Sequence, residues 1–85
     1  MIKAELKVMG RWFSSEGETI EQAILNLNPG NVRGSVVLRL SKGDKVKDRI
    51  FPFNLVKYLF GKVSPTFQKV AIKNVVERFD KKDFE

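Results

Sequence analysis

The chain has 85 residues, 16 of them basic and 10 acidic, for a net charge of +6, and it contains no cysteine and no histidine. A chain of this length makes one domain with one modest core, burying about 60–65% of the surface its unfolded form exposes. The two missing residue types exclude a disulfide framework, a thiolate nucleophile, a Cys- or His-ligated metal centre and a Ser-His-Asp relay within the chain.

The first strand is written in alternation. Ile2, Ala4, Leu6 and Val8 take turns with Lys3, Glu5 and Lys7, giving one buried and one solvated face. Trp12 and Phe13 extend this strand past Gly10, where a bulge fits, and Ser14–Gly17 is expected as the following turn. Met1–Trp12 lacks the apolar block of a secretory signal, and no run of 18 apolar residues occurs. The expectation is a cytoplasmic protein with no membrane association.

A short helix follows. Thr19 and Gln22 have capping-box spacing, Glu18 and Glu21 lie near the positive helix end, and Ile20, Ala23, Ile24 and Leu27 form one apolar stripe. Asn28-Pro29-Gly30-Asn31 stops the helix and turns the chain.

Val32–Ser41 and Lys45–Phe53 read as two strands of a hairpin around Gly43. A two-residue Lys42-Gly43 loop would pair Leu40 with Lys45. A three-residue Lys42-Gly43-Asp44 loop pairs Leu40 with Val46 and Val36 with Ile50, and is preferred because it puts apolar residues opposite one another. Its expected inner face is Val36, Leu38, Leu40, Val46 and Ile50, with Asp48 a misfit; its outer face is Val37, Arg39, Ser41, Lys45, Lys47 and Arg49.

The last third is helical. Asn54 is placed to cap a short helix, Leu55–Phe60, ended by Gly61. Ser64 and Pro65 then mark the start of a longer helix running to about Phe79. Phe67, Val70, Ala71, Val75, Ile72, Val76 and Phe79 make its broad apolar face. Residues 1–80 are read as one α+β domain and residues 81–85 as a frayed charged tail. The order β-α-β-β-α-α implies a three-stranded antiparallel-type sheet with helices packed on one face.

Candidate chemistry is sparse. Apart from Asp48, no carboxylate sits in an apolar context, so no acid–base pair is apparent. Gly30-Asn31-Val32-Arg33-Gly34 lacks the Gly-Lys-Ser/Thr ending of a phosphate loop and is one residue too long for a GXXG clamp. Lys69 and Lys73, on a capped last helix, are similar to the end of a double-stranded RNA-binding domain. That family opens with a helix followed by three strands, however, and no binding residue is carried over from it. An enzyme, a metal site and a cofactor are all unexpected.

Charge distribution is the strongest functional signal. Residues 1–31 carry −1, residues 32–62 carry +6 and residues 63–85 carry +1. Arg39, Lys45, Lys47 and Arg49 on one outer strand face, with Lys42 at the hairpin tip and Arg33 at its base, suit a phosphate backbone, DNA or RNA, bound without sequence preference. The bland reading of the same residues is a solvated sheet face guarded against aggregation. A second signal is the aromatic cluster Phe51, Phe53 and Tyr58, with Phe60 beside it: a protein interface, or the lid of a small core. The leading reading is a small non-enzymatic nucleic-acid-binding domain, monomeric or a small homo-oligomer. The alternative is an accessory or inhibitor module, of viral type among others and then acting in the host cytoplasm, docking on an acidic or apolar protein. A structural subunit of a ribonucleoprotein or capsid is a further option.

Overall fold

The computed structural model describes residues 1–30, 32–60 and 63–84. Its first element, β1 (Ile2–Val8), is a strand whose alternate residues Ile2, Ala4, Leu6 and Val8 are all buried, as the sequence pattern requires. The segment after it differs from expectation. It is neither a bulged extension nor a turn, but a second strand, β2 (Arg11–Gly17), folded back on β1 with Val8 opposite Arg11 and Ile2 opposite Gly17. The reversal is a two-residue turn in which Met9 and Gly10 both have positive φ, 50° and 79°. This is the primed-turn geometry that matches strand twist. The sequence hides it because methionine, not asparagine or aspartate, occupies the first left-handed position.

Thr19 caps α1 (Ile20–Leu25) by accepting a 3.1 Å hydrogen bond from the Gln22 backbone N–H, and the Gln22 side chain accepts one from the backbone N–H of Glu18. The helix buries Ile20, Ala23 and Ile24, and Leu27 just beyond it is buried too. It seats closely on β2, where Ser15 Oγ donates to the Ala23 carbonyl and a Cβ at Gly17 would stand 2.5 Å from the Ala23 nitrogen. The chain then crosses to β3 (Val36–Lys42), which pairs with the other side of β1, and β4 (Lys45–Phe51) pairs with β3. The sheet is four-stranded and antiparallel in the order β2-β1-β3-β4. It thus has one more strand than the sequence reading gave.

Neither hairpin register weighed from the sequence is the one adopted. Lys42 faces Lys45, so the loop is Gly43-Asp44, with Gly43 at φ 59°. Glycine at the first central position with positive φ is the requirement of a type II′ turn. Leu40 consequently faces Lys47, Leu38 faces Arg49 and Val36 faces Phe51. This reverses β4 relative to the expected faces. Val46 and Ile50 are 53% and 70% exposed, whereas Phe51 is fully buried. Asp48 is no misfit in the core, because it lies on the sheet face that carries no helix.

The C-terminal third supplies the rest of the helical layer. A short α2 (Phe53–Val56) starts after Pro52, earlier than expected, with no side-chain cap from Asn54. Gly61, expected to end that helix, lies outside the described residues. Helix α3 (Pro65–Glu77) begins at Pro65 as the sequence indicates, although Ser64 makes no side-chain cap bond, and it ends two residues before Phe79. Ala71, Ile72, Val75 and Val76 are buried, but Phe67 and Val70 are 60% and 56% exposed and do not belong to the core face. The segment expected to fray holds a 3-10 turn, Lys81–Phe84, with Phe84 buried and packed edge-on to Phe79.

Candidate functional site

Strand pairing sorts the basic residues before any side chain is considered. Cross-strand partners share a face. The helix-bearing face therefore carries Val36, Leu38, Leu40 and Lys42 on β3, and Phe51, Arg49, Lys47 and Lys45 opposite them on β4. Arg39 is on the other face, opposite Asp48 and next to Glu5 of β1. The continuous basic face expected from the sequence is thus divided: Lys42, Lys45, Lys47 and Arg49 are brought together, and Arg39 is separated from them.

Arg39 is engaged where it stands. Its Nε and Nη2 donate to the two carboxylate oxygens of Asp48 at 2.8 and 3.2 Å. The hydrogen bond with this guanidinium holds the Asp48 carboxyl below its usual range and raises the arginine in turn. The guanidinium also lies 4.7 Å from the centre of the Trp12 ring, and Lys7 Nζ is 5.8 Å from the same ring. Trp12, expected from the sequence to extend the first strand, lies instead in β2 opposite Lys7. It belongs, 43% exposed, to the face that carries no helix.

On the helix-bearing side β4 is an edge strand, and its Lys45, Lys47 and Arg49 are exposed. Alternate residues of one strand place these three cations about 7 Å apart in a row. The residues facing them come from the chain's end. Lys45 and Lys47 lie 3.3 and 3.9 Å from Asp83, Lys42 Nζ donates to the Phe84 carbonyl at 3.1 Å, and Arg49 Nε donates to the Arg78 carbonyl at 3.1 Å. Arg78, Lys81 and Lys82 belong to the same segment, and Lys81 pairs with Glu21 of α1 at 3.4 Å. Arg33 is exposed in the connection before β3, at the end opposite Lys42, the last residue of β3 before the Gly43-Asp44 turn.

The aromatic set also separates. Phe51 belongs to the core against Phe79, their ring centres 6.0 Å apart, and presents nothing to a partner. Phe53 and Tyr58 are each partly exposed and share Lys57, whose Nζ stands 6.0 and 5.0 Å from their rings. Among the described residues, no group of three or more Asp or Glu side chains converges as a metal site would require, and no helix is long and apolar enough to cross a membrane. Compared with protein-family models, curated proteins and solved structures, the chain has no match.

Proposed function

We propose that the protein is a small non-enzymatic domain that binds nucleic acid along the edge of β4, with Lys45, Lys47 and Arg49 on phosphates and Lys42 and Arg33 flanking them. The observation that carries this reading is the row of three exposed cations at two-residue spacing on an edge strand. Its nearest acid, Asp83, is shared between two of them. Exposed ion pairs of that kind contribute little and exchange readily for a phosphate, whose neutralisation releases condensed counterions. Arg39 is left out of the contact set because Asp48 satisfies it on the opposite face. No side chain is assigned to base edges, so binding is largely independent of sequence.

The test is a titration with duplex DNA, single-stranded DNA and RNA at about 0.15 M salt. The intact protein is compared with the triple variant Lys45→Gln, Lys47→Gln and Arg49→Gln. Neutral replacements are chosen because glutamate beside Asp83 would add repulsion to the fold itself. Binding of at least one nucleic acid tighter than about 0.1 mM, lost in the triple variant, supports the reading. Absence of binding to all three rejects it.

A further inference from the structure

Besides Val46 and Ile50 on β4, exposed apolar side chains gather between α2 and α3. There Leu55 and Tyr58 from one side, and Phe67 and Val70 from the other, line an open groove of about 290 Å3, with Asn54 and Asn74 also in its lining. Phe67 and Val70 are more than half exposed, although they sit on a helix whose other face is fully packed. Tyr58 and Phe67 rest against one another with ring centres 5.8 Å apart, so the wall is ordered by its own contacts. Large apolar side chains gathered in one groove are the arrangement that receives an apolar stripe from a partner helix.

The surroundings of the groove specify the charge of that partner. Lys57 covers Tyr58 and Phe53, Lys73 lies one turn beyond Val70 on α3, and Arg78 borders the adjoining depression that shares Asn54, Leu55 and Asn74. Among the described residues none of these three cations has a carboxylate within 4.0 Å, in contrast to Arg39, Lys45, Lys47 and Lys81. Glu77 is the single acid at this border. A second copy of the chain would bring another +6 to the contact, and a bare phosphate backbone would leave the apolar floor unused. We infer that the α2–α3 groove is a docking site for an acidic amphipathic segment of a protein partner, with apolar residues filling the groove and carboxylates meeting Lys57 and Lys73. This site is independent of the β4 edge and does not rest on nucleic-acid binding.

The experiment selects 16-residue peptides from a random displayed library on the full chain at about 0.15 M salt. The best peptide is then titrated against the intact protein, Phe67→Ser, Val70→Ser and the pair Lys57→Glu with Lys73→Glu. The expected peptides carry apolar residues at helical spacing flanked by Asp or Glu. Either serine variant should weaken binding about tenfold or more, the loss typical of an anchor residue. The lysine reversals should weaken it further and shift selection toward basic peptides. Because Phe67 and Val70 are exposed, the thermal midpoint of at least one serine variant should match that of the parent, which separates a lost contact from a lost fold. Failure to enrich any peptide, enrichment without acidic residues, or binding unaltered in a folded serine variant would overturn the inference. A change of oligomeric state in Phe67→Ser without peptide would overturn it too, by assigning the face to contacts between copies.

Discussion

Arg39 and Asp48 meet across β3 and β4 as a bidentate pair on the face that carries no helix. The folded-state pKa of Asp48 is lowered, first by this hydrogen bond, so its contribution to stability is complete above the unfolded carboxyl value, about 3.9, and disappears as pH falls through the lower folded value. Urea midpoints measured between about pH 2 and 7 should therefore show a smaller acid-side loss for Asp48→Asn than for the parent, with the two curves parallel above about pH 5. Val46 and Leu40 give the matching test of faces. Val46 is exposed and Leu40 is fully buried. Val46→Asp should change stability by about 1 kcal/mol or less, whereas Leu40→Asp, which buries an unpaired charge, should cost about 4 kcal/mol or more and leave the chain largely unfolded. Equal midpoints in chemical denaturation would reject the Gly43-Asp44 register.

Where element pattern and tertiary position agree, the sequence was sufficient. The alternation of β1, the capped stripe of α1 and the Pro65 start of α3 all appear where their residues place them. The failures share a physical origin in edge strands. β2 has Trp12, Ser14 and Glu16 on one side and Phe13 and Ser15 on the other, so it offers no clean apolar period, and its Met9-Gly10 turn lacks the usual residues. β4 carries Val46 and Ile50 outward and Lys47 and Arg49 on the helix side, the reverse of what hydrophobicity alone suggests. At an edge, long cationic side chains can leave the core side and reach water, so burial no longer fixes register. That single reversal explains why Arg39 lies on the opposite face from Lys45, Lys47 and Arg49, and why Phe51 is buried rather than at an interface. The α1–β2 contact gives the prediction at this scale. Gly17→Ala would force its Cβ against the Ala23 backbone, and should cost about 1–3 kcal/mol even though alanine favours no other structure there. A thermal midpoint equal to that of the parent would show that α1 does not seat so closely.

For the whole molecule, the net +6 is not spread evenly over the surface. Asp48 answers Arg39 on one face, Asp83 answers Lys45 and Lys47 on the β4 edge, and Lys57 and Lys73 beside the α2–α3 groove have no carboxylate within 4.0 Å among the described residues. The same fold therefore offers two surfaces of different chemistry: a row of cations suited to a phosphate chain, and an apolar groove with a cationic rim suited to an acidic protein segment. The β4 row carries the central claim, and the dependence of nucleic-acid affinity on salt tests it most directly. With Lys45, Lys47 and Arg49 on phosphates, the slope of log K against log salt should be roughly −2 to −3, and Lys47→Gln should make it shallower by about 0.7–0.9. Arg39→Gln should leave the slope as it is. A Lys47→Gln slope equal to that of the parent, or a shallower slope in Arg39→Gln alone, would contradict the assignment of nucleic-acid binding to the β4 edge.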